Sequence, residues 1–277
     1  SSDTATHMTT VNNSRVLITG AASGIGKLLA QRLAESGARL VLWDIDRQGL
    51  DQAKAELADA GHSAETYPCD LSDHEEIKSV AAQTLEEGGP IDILINNAGI
   101  VSGKSLLELS DAEIERTFQV NTLALFWTVR AFLPSMLEQD SGHVVTIASA
   151  ASLAGAPKLT DYSASKFAAF GFDESLRLEL EQHGSKVTTT IVCPYYIDTG
   201  MFDGVKTRFS WLLPILQPDY VVRRIISAIE KNRRRLIMPR FMYASWLTRL
   251  LPVAWYDVLM DFFGVTHSMD DFHGGGE

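Results

Sequence analysis

Cysteine is scarce in this chain. Its 277 residues include two, Cys69 and Cys193. They form no CxxC pair, which excludes a disulfide framework and leaves no metal site expected. Both thiols are expected to be buried and without a role, in a reducing compartment. Positive charge is also short. Lys and Arg number 24 against 35 Asp and Glu, for a net charge of −11. A surface of that sign repels phosphate backbones, so nucleic acid is excluded as a partner. No uninterrupted apolar run is expected to span a bilayer. No apolar segment precedes Val11, so no secretory signal is expected. Internal repeats and low-complexity linkers are missing as well.

The composition that remains is 45% hydrophobic and 21% charged, ordinary for a folded globular protein. Short β-rich runs alternate with longer amphipathic stretches. Strands are predicted at Arg15–Thr19, Arg39–Trp43, Ala64–Pro68, Ile91–Ile95, Gly142–Ala148, Lys186–Cys193 and Leu236–Met238. Helices are predicted over Gly24–Ser36, Gln48–Ala60, Asp73–Glu86, Asp111–Glu138 and Asp161–Gln182, with Pro134 ending or kinking the fourth near its C-terminal end. This βαβ alternation predicts an α/β fold, with one doubly wound parallel sheet flanked by helices on both faces. A single domain is expected over residues 9–265. It carries a loop at 195–218 and an apolar extension at 240–265. Residues 1–8 and 266–277 are expected to be flexible termini.

The first strand runs into Thr19-Gly20-Ala21-Ala22-Ser23-Gly24-Ile25-Gly26. Glycine permits positive φ and close approach of backbone N–H groups to a pyrophosphate, and the helix N-terminus adds partial positive charge. Gly20, Ser23, Gly24, Ile25 and Gly26 are therefore candidate dinucleotide contacts, in the strand–turn–helix context that the motif requires. Asp44 closes the second strand. A carboxylate there accepts hydrogen bonds from the adenosine ribose and repels a 2′-phosphate, which favours NAD over NADP; Arg47 partly offsets that repulsion. Asp70 and Leu71 follow the third strand, where an adenine ring would lie. Asn96-Asn97-Ala98-Gly99 follows the fourth and is either a turn or a cofactor contact. Farther on, Tyr162-Ser163-Ala164-Ser165-Lys166 places a phenol and an ammonium one helical turn apart, with Ser149 thirteen positions before the tyrosine.

Taken together, Thr19–Gly26, Asp70, Asn96–Gly99, Asn121, Ser149, Tyr162, Lys166 and Pro194–Thr199 resemble the classical short-chain dehydrogenases/reductases, over about Arg15–Met238. Within that family, Leu42–Asp46, Ala131–Pro134 and Ser165–Ala169 are most similar to the retinol dehydrogenase and 17β-hydroxysteroid dehydrogenase type 11/13 branch. The resemblance implies a Rossmann fold and a catalytic set of Asn121, Ser149, Tyr162 and Lys166. Tyr162 is then the general acid/base. Lys166, at i+4, favours the phenolate and bonds the nicotinamide ribose. Ser149 positions the substrate oxygen, and Asn121 holds a relay water. Asn97, Ala98, Gly99, Pro194, Ile197 and Thr199 are implied as further cofactor contacts, with Ile197 and Thr199 at the carboxamide. Tyr195 stands where many members have glycine, and narrows the nicotinamide end or enters the substrate site. Ser152 stands near a position where relatives often have glycine, and is expected to face solvent or, as the alternative, to be a second polar group at the pocket mouth.

Met201 and Phe202 open an apolar loop that continues through Phe209, Trp211-Leu212-Leu213 and Ile215-Leu216. Such a loop is a lid, an interface or core packing. With Ser149, Tyr162 and Tyr195, Met201 and Phe202 are the candidate substrate contacts. The expected reaction interconverts a lipophilic alcohol (retinoid, steroid, long-chain or aryl) and its ketone or aldehyde with NAD. The alternatives are an NADPH-dependent carbonyl or 3-oxoacyl reductase and a non-catalytic dinucleotide-sensing scaffold. The tail sets Lys231–Arg235 before Phe241-Met242-Tyr243, Trp246-Leu247, Leu250-Leu251, Trp255-Tyr256 and Phe262-Phe263. It reads as a membrane-surface element, a subunit interface or a cover on the substrate entrance. A cytoplasmic homodimer or homotetramer is expected, with peripheral membrane contact through that tail.

Overall fold

The structure is a computed structural model that describes residues 8–272, apart from Lys206 and Ser210. The outer parts of the expected free ends, 1–7 and 273–277, lie outside the described residues, as do the side chains of Ser245 and Trp246. Seven strands, β1 (Arg15–Thr19), β2 (Arg39–Asp44), β3 (Ala64–Pro68), β4 (Ile93–Asn96), β5 (His143–Ile147), β6 (Thr188–Pro194) and β7 (Arg235–Met238), form one sheet in the order β3-β2-β1-β4-β5-β6-β7. Every pairing is parallel. The strand order reverses between β1 and β4, so the topological switch point lies beside the glycine turn.

Helices α1 (Gly24–Glu35), α2 (Arg47–Asp59), α3 (His74–Gly88), α4 (Asp111–Phe118), α5 (Ala124–Glu138), α6 (Thr160–Gln182) and α7 (Pro218–Glu230) cover the two faces. The strands alternate between two apolar layers. Val16 and Ile18 of β1, with Leu40 and Leu42 of β2, pack with Leu29 and Leu33 of α1 and Ile225 of α7. Leu17, Val41 and Trp43 face the opposite way, onto Ile77 of α3, Phe132 of α5 and Leu176 of α6. Both faces are apolar, as a doubly covered parallel sheet requires. Each fully buried Leu or Ile contributes roughly 1.5–3 kcal/mol. The buried Trp43 indole donates to Thr84 Oγ1 at 3.2 Å, which removes the cost of an unpaired N–H.

Three differences from the sequence reading stand out. The stretch Asp111–Glu138 is not one helix. It breaks at a π turn over Gln119–Leu123, while Pro134 sits inside α5. By length and composition this stretch is apolar enough to cross a membrane. It packs on the sheet instead, with Phe132 and Met136 buried. Helix α7 was not anticipated, although Pro218 at its start and the apolar positions Val221, Val222, Ile225, Ala228 and Ile229 mark it in hindsight. Beyond β7, the extension forms two short helices, α8 (Ala244–Thr248) and α9 (Val253–Phe262), and part of the expected free C-terminus packs onto the body: Ser268 and Met269 are buried.

Candidate active site

Gly20, Asp44, Asp70, Asn97, Ser149 and Pro194 all lie at the C-terminal ends of parallel strands or just beyond them, so the sheet brings six distant segments to one edge. The turn after β1 is tight. Gly20 has φ +65°, and a Cβ at Gly26 would lie 1.9 Å from the Gly20 carbonyl oxygen. Asn97 pins this turn, donating from Nδ2 to the carbonyls of Thr19 at 3.0 Å and Gly20 at 3.1 Å. The backbone N–H groups of Asn97 and Ala98 donate to Thr19 Oγ1. Asn97 thus shapes the cradle with its side chain. Ser23, the N-cap of α1, has a side chain that caps no backbone N–H of that helix. Gly24 lies beside Thr199, which brings the loop after β6 to the turn.

Asp44 accepts from the N–H of Ala22 at 2.9 Å and of Asp46 at 3.0 Å, so its carboxylate is fixed at the end of β2. Asp70 uses one oxygen to accept from the N–H and hydroxyl of Ser72. Leu71 is buried beside it. Ile197 bridges to Leu216 and closes the base of the loop.

Four more side chains converge behind this edge. Tyr162 and Lys166 project from α6 and are each 4% exposed. Ser149 follows β5 and lies next to the Tyr162 hydroxyl. Burial pushes the Tyr162 phenol up to about 12, against a smaller lowering by Ser149. Lys166 Nζ donates to the Ile147 carbonyl at 3.1 Å and lies 5.7 Å from the centre of the Tyr162 ring. Burial pulls Lys166 down to about 8, so it keeps its proton at neutral pH. Burial is the larger influence on the phenol in this structure, which the positive charge of an oxidised nicotinamide would oppose. Asn121 sits inside the π turn. Its side chain is occupied: Oδ1 accepts from the Ile100 N–H at 2.8 Å, and Nδ2 donates to the Ile100 carbonyl and Ser165 Oγ. Gly99 faces the same place. A Cβ there would be 3.2 Å from Lys166 Nζ and 3.4 Å from Asn121 Oδ1. The glycine turn, and a glycine where a side chain would crowd Lys166, fit a dinucleotide that runs from the start of α1 to α6.

Several residues escaped the sequence reading. Ser165 links Asn121 to the Tyr162 carbonyl, to which its hydroxyl donates at 2.7 Å. Thr122 Oγ1 donates to the Ser165 carbonyl. Asp161 accepts from Ser102 and Thr117 and ties α6 to α4. Ser152 is buried rather than solvent-facing, because its Oγ accepts from the Ser149 N–H across the turn that positions Ser149. Tyr195 packs against the α1/α7 core layer, while its neighbour Tyr196 turns toward the site. Phe202 stacks edge-on to Tyr162 at 5.8 Å and to Tyr196 at 5.1 Å. Met201 is partly exposed on the loop. A signal for Ser165 was present inside the tyrosine–lysine motif; none existed for Tyr196.

This strand-edge dinucleotide cradle, facing a buried Tyr–Lys pair, is the architecture of a nicotinamide-linked oxidoreductase. Residues 14–208 match the family model for short chain dehydrogenase, and the chain belongs to that family. It is an NAD(P)-linked oxidoreductase of small-molecule alcohols and carbonyls. It is 46% identical to epidermal retinol dehydrogenase 2 of Homo sapiens over 260 residues, 93% of this chain and 84% of that protein. It is 41% identical to retinol dehydrogenase 10 of Rattus norvegicus over 287 residues, covering 92% and 84%. Among solved structures, it superposes on a short-chain dehydrogenase/reductase from Burkholderia phymatum in complex with NAD, with TM-score 0.79 and 27% identity, covering 92% and 97%. It also superposes on a metagenomic short-chain oxidoreductase in complex with NADP, with TM-score 0.69 and 28% identity, covering 83% and 97%.

Proposed function

We propose that this protein is an NAD-preferring dehydrogenase that interconverts a lipophilic alcohol, of the retinoid, steroid, long-chain or aryl class, and its aldehyde or ketone. The observation that carries the reading is the buried Tyr162–Lys166 pair, with half-buried Ser149 next to it, under an apolar cover. The retinol dehydrogenase names of the relatives support the lipophilic substrate. Asp44, fixed at the end of β2, supports NAD, since a 2′-phosphate there meets a carboxylate.

A nicotinamide bound along this edge supplies the hydride acceptor or donor and, when oxidised, a positive charge. The protein's own groups handle the proton. Ser149 donates to the substrate oxygen and holds it beside the Tyr162 hydroxyl. In oxidation the Tyr162 oxygen takes the alcohol proton, and in reduction it returns it. Such acid–base work contributes about 10²–10⁴-fold. Lys166, protonated and desolvated, favours the phenolate and donates to the nicotinamide ribose. Asn121, fixed within its π turn and close to Lys166 across Gly99, holds the relay water. Ile197 and Thr199 contact the carboxamide end. The apolar surface that closes over Tyr162 excludes water from the reaction.

The exposed aliphatic and aromatic side chains of α9 support peripheral contact with a lipid surface, through which an apolar substrate reaches the site. Exposed Leu123, Phe126 and Leu178 on α5, its π turn and α6 support a homodimer or homotetramer through those helices.

The test is the absorbance of reduced nicotinamide with a panel of apolar alcohols, NAD⁺ against NADP⁺, beside Tyr162→Phe. Turnover with NAD⁺ is expected to exceed that with NADP⁺ by about tenfold, roughly 1.4 kcal/mol. Tyr162→Phe is expected to lose about 10³-fold or more in kcat while NAD⁺ affinity holds. A protein that binds NAD⁺ yet turns over neither alcohols nor, with NADH, ketones is a dinucleotide sensor instead.

A further inference from the structure

The apolar cluster over Tyr162 takes in a segment far away in sequence. Met269 is 1% exposed and packs in one cluster with Leu159, Tyr162 and Val205, flanked by Tyr196, Phe202 and Phe272. The Phe272 ring lies 6.3 Å from that of Phe202 and rests on Gly103, where a Cβ would come within 1.9 Å of it. Gly103 therefore makes room for this ring. The segment is held by a few polar bonds: Lys158 Nζ donates to the Met269 carbonyl at 3.2 Å and the Asp270 carbonyl at 3.4 Å, and Tyr196 Oη shares a 3.1 Å bond with Ser268 Oγ. The helix that leads into it, α9, buries none of its residues.

We propose that Met269 and Phe272 are specificity-determining residues that set the size limit on the alcohol. A small aryl alcohol needs only the space next to Ser149 and Tyr162. A long alcohol must extend past Met269, so Met269 and Phe272 have to move aside. Displacing the segment breaks these hydrogen bonds and uncovers Met269, a cost that falls on large substrates alone. This inference rests on the alcohol chemistry proposed at Tyr162.

The experiment compares kcat/KM for a long polyene alcohol and a small aryl alcohol in the wild type, Met269→Ala and Phe272→Ala. The ratio of long to small is expected to rise about tenfold through a lower KM for the long substrate, the scale of a change in apolar pocket volume. Met269→Leu, which keeps the volume, is expected to hold the wild-type ratio. A ratio that stays within about twofold of wild type, or falls, in both alanine variants overturns the proposal. A second readout needs no turnover. Cys69 and Cys193 are buried, so a maleimide reports on Phe272→Cys alone. With NAD⁺ present, the long alcohol is expected to speed labelling and the small one to leave it unchanged. Labelling that ignores the long alcohol overturns the proposal. Failure of all wild-type turnover instead sinks the alcohol chemistry, while the labelling still reports on the segment.

Discussion

The sheet edge that carries the dinucleotide cradle and the extension after Met238 treat apolar side chains in opposite ways. Behind the glycine turn the apolar side chains of the strands and of α1 are inside: Val16, Ile18, Leu29 and Leu42 have essentially no exposure. In the extension, Leu250 is 82% exposed, Val253 75% and Trp255 71%. The first region is held by interlocking strands and a turn with no spare volume. The second is hydrophobic without being core. The contrast separates residues that hold the fold together from residues available for something outside it.

That comparison breaks most sharply at Gly26. An alanine there drives a Cβ against the Gly20 carbonyl, a backbone atom that cannot step aside. Gly26→Ala is expected to lose about 3 kcal/mol in urea unfolding and most of its NAD⁺ affinity. A near-wild-type denaturation midpoint would show that the turn has room that its geometry denies.

A smaller effect is expected at Asp173 on α6. This buried carboxylate has no hydrogen-bond partner for Oδ1. It lines a cavity of about 270 Å³ with Arg177 and Arg235, away from Tyr162. Burial raises its pKa from 3.8 to about 7, against a smaller lowering by the nearby Thr189 hydroxyl and by those arginines. The folded state therefore binds the extra proton between these values, and the group's contribution to stability falls as pH rises through that window. Asp173→Asn removes the buried charge. Its Tm is expected to exceed the wild type by several degrees at about pH 8, the difference shrinking below pH 7 and vanishing near pH 4. A constant difference at all pH values would assign the effect to packing instead of charge.

The least effect on stability is expected in the extension. Val258 is exposed on α9. Val258→Lys is expected to change unfolding by less than about 0.5 kcal/mol, as surface substitutions do. Its sedimentation with neutral phosphatidylcholine vesicles is expected to fall several-fold. Unchanged vesicle binding would move the apolar face of α9 from a lipid surface to a protein partner.

Much of the fold was legible. Alternating apolar runs located seven strands, and Arg15–Thr19 matches residue for residue, because Val16–Thr19, covered on both faces, is apolar or β-branched throughout. The long helical pattern over Asp111–Glu138 hid the π turn, since hydrophobic periodicity does not register one extra residue in a hydrogen-bond ladder. Pro134 drew attention as a breaker, yet α5 runs through it.

The candidate site divides in the same way. Gly20–Gly26 and Tyr162–Lys166 announce themselves because their chemistry depends on local spacing: a turn that needs glycine, and two side chains one helical turn apart. Tyr195 and Tyr196 are adjacent and equally aromatic, and local sequence does not say which enters the core. The pairing of the Tyr195 N–H with the Met238 carbonyl, on the neighbouring strand, sets that choice. Ser152 looked like a surface hydroxyl until the turn after β5 folded it under the Ser149 N–H.

By itself, then, the sequence determined the sheet, the dinucleotide turn and the tyrosine–lysine pair, since each follows from rules that act over a few residues. Only the tertiary structure decided that Met269 and Phe272 meet Tyr162 more than a hundred positions away. It also decided that Lys166 donates to the Ile147 carbonyl and that burial pushes the Tyr162 phenol up. Contact between distant segments and exclusion of water are properties of the packed chain, and no local pattern encodes them.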